Sequence, residues 1–152
     1  MLVAADDIKR LRAETSCGVI DCKKALEEAK GDFNKAKEFL RRRGLEMAAK
    51  KSDRAAKEGR VETYIHTGNK IGVLVEVNCE TDFVARNEDF CRFSRDVAMH
   101  IAAMDPENVP ALVTQPFVRD PGKSIQDLLN ELVAKIGENI IVSRFVRFKV
   151  GV

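Results

Sequence analysis

The chain has 152 residues, 45% of them apolar and 33% charged, and its 26 Lys and Arg against 24 Asp and Glu leave a net charge of +2. This length supports one or two small domains with real cores and excludes a large multidomain enzyme, while the near balance of charge excludes a molecule basic enough overall to wrap nucleic acid. No apolar stretch approaches the ~20 residues that a bilayer span requires.

The charge divides unevenly along the chain: residues 1–57 carry 15 basic and 10 acidic side chains, net +5, and residues 58–152 carry 11 and 14, net −3. Two modules are expected. In the first, Asp6 and Asp7 suit the positive end of a helix bearing Ile8 and Leu11, and the run stops at Thr15-Ser16-Cys17-Gly18. Val19, Cys22, Leu26 and Ala29 keep helical spacing up to Gly31. Asp32 then caps a third helix carrying Phe33, Ala36 and Leu40, with Gly44 as its stop. Residues 1–44 are thus expected to form a three-helix bundle, and the Ala- and Lys-rich residues 45–57 an exposed helical connector.

Residues 58–152 change period. Val61, Thr63 and Ile65 alternate, as do Ile71, Val73, Val75 and Val77 after Thr67-Gly68-Asn69, which predicts a hairpin. Phe90, Phe93, Val97 and Ile101 make one stripe of a helix over 88–103, and a loop with Pro110, Pro116 and Pro121 follows. Ser124 and Asp127 start a further helix as a capping box with Asp in place of the longer Glu; its buried face is Ile125, Leu128, Leu129, Leu132, Val133 and Ile136, and Gly137 ends it. Ile140, Val142, Arg144, Val146, Phe148 and Val150 alternate again as a third strand. The fold class expected is α+β: a bundle, a connector, and a core domain at 58–152 with a three-stranded antiparallel sheet packed by helices.

Met1 to Ile8 turns acidic early and lacks both the basic start and the apolar run of a signal peptide, so a cytoplasmic location is expected. Cys17, Cys22, Cys79 and Cys91 then read as reduced thiols used for packing. A metal site joining Cys79 and Cys91 with His66 and His100 would lack the close-spaced ligand pair of a zinc ribbon or finger. No Walker or GxGxxG pattern can be written onto the chain, and neither histidine lies beside a nucleophile motif, so no nucleotide site, cofactor, metal or covalent chemistry is expected. His66 reads as exposed or hydrogen-bonded structure and His100 as a satisfied packing residue.

The segment Asn78-Cys79-Glu80-Thr81-Asp82-Phe83-Val84-Ala85-Arg86-Asn87-Glu88 stands out, because a carboxylate and an aromatic ring adjoin where a strand runs out. Either Asp82 or Asn87 caps the next helix while Phe83 tucks into the core, or the loop projects Phe83 as a wedge, with Asp82 beside it, into a partner.

Leu11-Arg12, Asp21-Cys22-Lys23-Lys24-Ala25-Leu26, Leu40-Arg41, Ala49-Lys50-Lys51 and Glu58-Gly59 resemble the N-terminal module of the bacterial elongation factor Ts family. Glu76-Val77-Asn78-Cys79-Glu80-Thr81-Asp82-Phe83-Val84-Ala85 resembles its central signature, and His100-Ile101-Ala102-Ala103, Gln115-Pro116-Phe117, Ile136-Gly137-Glu138-Asn139-Ile140 and Arg144-Phe145 continue the match in order. The resemblance implies a guanine nucleotide exchange factor for GDP-bound elongation factor Tu, not an enzyme. It implies an N-terminal fold similar to ubiquitin-associated domains and a Thr81-Asp82-Phe83-Val84 loop that intrudes near the partner's magnesium site. N-terminal partner contacts are implied at Leu11, Arg12, Val19 and Ile20. Family members commonly hold methionine at the last two positions and Gly-Ala-Gly in the turn that reads Ser16-Cys17-Gly18 here. There is room for one core half only, as in the family's short form, which implies a homodimer and a 2:2 complex. The interchain disulfide of that form has no counterpart in Phe145-Val146-Arg147-Phe148.

Two rival readings are weaker. The basic run Arg41-Arg42-Arg43, Lys50-Lys51, Arg54 and Lys57 could contact nucleic acid, but Glu46, Asp53 and Glu58 interrupt it and no aromatic platform interleaves it. A receptor for a ubiquitin-like protein rests on helix-bundle analogy alone and leaves the core domain unexplained.

Overall fold

The computed structural model describes residues 2–152; Met1, the start of the acidic N-terminal stretch, lies outside them. Helices α1 (Ala5–Thr15), α2 (Val19–Glu28) and α3 (Phe33–Lys51) close around a small core of Leu11, Cys22, Ala25, Leu26, Ala36 and Leu40. The expected punctuation operates at the α2–α3 junction, where the Asp32 carboxylate accepts the Lys35 N–H at 3.0 Å. Gly44, however, does not stop α3, which runs on to Lys51. Gly44 is buried where α3 crosses α7 (Ile125–Ile136). A Cβ placed on it would lie 3.8 Å from the Asn130 carbonyl oxygen and 3.9 Å from the Ala134 Cβ. Tertiary packing here outweighs the ~1 kcal/mol helix penalty of glycine. Residues 45–51 are therefore the last two turns of α3, and Ala48 packs on the core below the sheet rather than lying free.

Strands β1 (Glu58–Ile65), β2 (Ile71–Cys79) and β5 (Ile141–Lys149) form an antiparallel sheet in the order β1-β2-β5. The β1–β2 turn holds Gly68 at φ 94 and Asn69 at φ 58, the residue types that tolerate left-handed backbone. Helix α5 (Glu88–Met104) lies on one face and α7 packs beside it, so that Phe90, Phe93, Val97, Ile101, Leu129 and Val133 share one buried core with Val73, Val75 and Val77. The capping box of α7 is present: Ser124 Oγ accepts from the Asp127 N–H at 3.0 Å, and Asp127 Oδ2 from the Ser124 N–H at 2.9 Å. The proline-containing segment expected as a loop also contains regular structure, namely α6 (Val109–Thr114) and the short hairpin of β3 (Pro116–Phe117) and β4 (Asp120–Ser124).

The single-face alternation expected for the last strand does not hold. Val142 pairs with Val77 but Arg144 pairs with Glu76, so Ser143 is an extra residue, and this bulge flips every later side chain. Val142 faces the core; beyond the bulge Phe145 and Arg147 turn toward the helices, and Val146 and Phe148 toward solvent. Arg147 donates from Nε and a terminal nitrogen to the Ala102 carbonyl at 3.2 and 3.0 Å, capping the C-terminal end of α5. In β1 the apolar set Val61 and Ile65 is likewise exposed, while Arg60, Glu62 and Tyr64 line the helix side. The sheet consequently presents Val61, Ile65, Leu74, Val146 and Phe148 on an open outer face. Among the described residues no helix is long and apolar enough to cross a membrane.

Candidate functional site

Where β2 ends, the chain makes a one-turn helix, α4 (Asp82–Ala85), before α5 begins at Glu88. The turn is anchored at both ends. Thr81 Oγ1 accepts the Val84 N–H at 3.3 Å, capping α4. Asn87 Oδ1 accepts the Asp89 and Phe90 N–H groups at 2.9 and 3.2 Å, capping α5. Of the two expected capping candidates for α5, Asn87 serves, and Asp82 occupies the first turn of α4, where it pairs with Arg86 at 3.0 Å. Ala85 is buried and Val84 packs partly into the core, which leaves Phe83 pointing away, 84% exposed. The Arg86 guanidinium carbon sits 5.9 Å from its ring centre and is the ring's only cationic neighbour among the described residues. Thr81 and Asp82 are exposed as well. Of the two alternatives for this segment, the ring is the projecting one rather than the tucked one.

The base of the turn rests on groups that spacing arguments did not single out. Glu138, just after α7, accepts hydrogen bonds from the backbone of Glu80 and Thr81, and Asn139 returns one to Glu80. They lie more than fifty residues from the turn in sequence, and only their membership in the Ile136-Gly137-Glu138-Asn139-Ile140 word marked them. Cys79 is buried, with its thiol aimed at the Thr81 carbonyl at 3.2 Å. Burial, with the nearby Glu138 charge, pushes that thiol up to about 11, so it fills space rather than reacting.

On the bundle, the first turn of α2 exposes Val19 (50%) and Ile20 (70%), and Arg12 is exposed on α1. Leu11 is a correction: its side chain is 0% exposed at the centre of the bundle core and offers no surface to a partner. Ser16, standing where the family commonly has glycine, adopts φ 58 as it ends α1. Such left-handed backbone costs a non-glycine residue ~1 kcal/mol. The bundle and α4 thus display two separate groups of exposed residues on different units.

Several other polar residues singled out in the sequence have local partners. In the basic run, Arg41 pairs with Glu38 at 3.2 Å, Arg43 with Asp21 at 3.4 Å and Arg54 with Glu80 at 3.6 Å. His66 is exposed and meets the Tyr64 hydroxyl at 3.1 Å. His100 is 0% exposed; the Val118 N–H donates to its Nδ1 at 3.2 Å, so Nε2 carries the proton and donates to Gln115 Oε1 at 2.9 Å. Burial holds this imidazole below the ordinary histidine range, against the opposing bond to Gln115.

Comparison with known proteins matches the part of the chain that begins at this turn. Residues 80–152 match the family described as Elongation factor TS. Elongation factor Ts of Desulfotalea psychrophila is 45% identical, the match spanning 99% of this chain and 100% of that relative. The proteins of the same name from Carboxydothermus hydrogenoformans and Acetivibrio thermocellus are 44% and 46% identical over 99% of this chain, and over 90% and 91% of their own lengths. The first match extends over 196 positions against 152 residues here, so at least 44 of its positions have no counterpart in this chain. Identity of this level, sustained across nearly all of both chains and through the anchored turn, makes the chain a member of the elongation factor Ts family.

Proposed function

We propose that the chain is a guanine nucleotide exchange factor for elongation factor Tu in translation elongation, acting in the cytoplasm. It accelerates GDP release by placing Thr81, Asp82, Phe83 and Val84 near the magnesium site of the GTPase. The observation that carries this reading is the exposure of Phe83 on a turn fixed at both ends, in a chain of this family. An aromatic ring held out in water on a rigid mount is an unused hydrophobic anchor.

The mechanism is differential binding and makes or breaks no covalent bond. A factor that prefers the partner conformation with disturbed magnesium and phosphate contacts weakens GDP by the same coupling free energy with which GDP weakens the factor. Phe83 supplies the apolar insertion, and Asp82, already poised opposite Arg86, supplies a carboxylate that rearranges polar groups around the ion. The factor itself needs no cofactor or metal, and nucleic acid takes no direct part. Arg12, Val19 and Ile20 on the three-helix unit, read as similar to ubiquitin-associated domains, dock on the same GTPase.

The open sheet face supports a homodimer carrying two GTPase molecules. Leu74 and Val146 adjoin in register at its centre, with Ile65 and Phe148 flanking Gly72 in the next row. A contiguous exposed apolar face of this kind is stabilised by a second copy laid over it. Stopped-flow release of fluorescent GDP from elongation factor Tu tests the main reading. Acceleration by the wild type that is lost in folded Phe83→Ala and Asp82→Ala variants supports it, and no acceleration by the wild type refutes it.

A further inference from the structure

We infer that Glu138 is a positioning residue for exchange: its carboxylate fixes the turn that presents Phe83 and orients the hydroxyl that caps it. This rests on the exchange reading above. The strand ladders of β2 end at Cys79 on one side and Asn78 on the other, so the N–H groups of Glu80 and Thr81 have no strand partner. Glu138 Oε1 accepts both, each at 3.1 Å, and Oε2 accepts the Thr81 hydroxyl at 2.8 Å. Three donors converging on one carboxylate make a charge-assisted clamp.

The hydroxyl bond matters most for the ring. A threonine hydroxyl has one proton, and giving it to Glu138 leaves the Oγ1 lone pairs to receive the Val84 N–H, the bond that caps α4. A four-residue helix cannot sustain itself, since its nucleation cost exceeds what one turn of hydrogen bonds returns. Its geometry therefore depends on that cap, and the cap on Glu138. The mount is rigid: Gly137, at φ 85, terminates α7 and aims the next residue across the sheet end.

The neighbouring residue closes the arrangement reciprocally. The Asn139 N–H donates to Glu80 Oε1 at 2.7 Å, and the Asn139 amide nitrogen donates to the Ser52 and Arg54 carbonyls at 3.4 and 2.7 Å. The segment leaving α3, the segment leaving α7 and the segment leaving β2 are thereby pinned together under the turn.

The test combines GDP-release kinetics with amide hydrogen exchange on the full chain. Glu138→Ala is expected to lower the maximal release rate at saturating factor roughly tenfold, the equivalent of one charge-assisted hydrogen bond. The half-saturating concentration should move less, because Arg12, Val19 and Ile20 still dock. Glu138→Gln keeps an acceptor oxygen and gains an N–H that Thr81 Oγ1 can accept, so it should remain within about threefold of wild type. On a Phe83→Ala background Glu138→Ala should add little, since the clamp acts through that ring. An alanine variant with wild-type rate, or losses that multiply in the double variant, overturns the inference. If the wild type itself fails to accelerate release, the exchange reading falls separately, and protection of the Glu80 and Thr81 amides decides the clamp: lost in Glu138→Ala it stands, unchanged it fails. Should Glu138→Ala not fold, Glu138→Gln carries the same comparison against Glu138→Met, which has similar length and no amide or carboxylate: rescue by Gln but not Met supports the clamp, and equal rates overturn it.

Discussion

Replacing Phe83 with alanine separates a ring that works on a partner from a ring that holds the fold. A phenylalanine side chain has on the order of 200 Å² to bury, and at 84% exposure almost all of it is still free in the isolated protein. If the GTPase covers that area, the gain at ~25 cal/mol/Å² is about 4 kcal/mol. Alanine retains the first carbon, so the loss is about 3 kcal/mol, or roughly a hundredfold in GDP release at subsaturating factor. Within the isolated chain the remaining sixth of the surface is worth about 0.8 kcal/mol at most, so urea unfolding of Phe83→Ala should lie within ~1 kcal/mol of the wild type. Phe90, 0% exposed and only seven residues on, is the internal control, because its truncation should cost about 3–5 kcal/mol. The reasoning is refuted if Phe83→Ala loses more than ~2 kcal/mol of stability, or if it stays stable and releases GDP as fast as the wild type.

Gly44→Ala should raise stability by about 0.5–1 kcal/mol in thermal melts, because the added methyl meets its neighbours at ordinary contact distances of 3.8 and 3.9 Å within a continuous helix; a lower melting temperature would mean that α3 and α7 pack more tightly than this. Phe148→Lys, at a residue 72% exposed in the isolated chain, should convert a sedimenting dimer to monomer without unfolding it; a wild type that is monomeric at micromolar concentration refutes the sheet-face dimer. His100 titrates below its unfolded value, so the unfolded chain binds the extra proton: stability is complete above pH ~6.5 and declines as pH falls below it. His100→Gln should flatten that slope in urea titrations between pH 5 and 7, and an unchanged slope would assign it to other groups.

Local chemistry made much of this architecture legible in the sequence. Asp32, Asn87 and the Ser124–Asp127 pair cap the helices that follow them, because a short polar side chain before an apolar stripe answers a need internal to the segment. What escaped was decided by distant partners. Gly44 reads as a stop until α7 is laid against it, and the partner contact that the family resemblance implies at Leu11 gives way to the core position that its helical spacing with Ile8 already suggested. Ser143 looks like one more alternating position; only the pairing with β2 makes it a bulge that turns Val146 and Phe148 outward. At the candidate site, spacing drew attention to the segment around Phe83 but left its orientation open. Glu138 acquires meaning only when the end of α7 meets the end of β2.

The continuity of α3 through Gly44 makes the bundle and the sheet unit phase-locked. A helix of 19 residues is a rod about 28 Å long, rooted in the bundle at one end and laid against α7 at the other. Each added residue in such a rod advances it by 1.5 Å and turns it by about 100°. One residue inserted after Leu45 would thus swing Val19 and Ile20 to a different side of the molecule and pull Gly44 off its seat against Asn130 and Ala134. Length and angle in this helix therefore fix how far, and on which side, Val19 and Ile20 stand from Phe83: if one partner is to touch both, that separation is a dimension it must match, and α3 is its gauge.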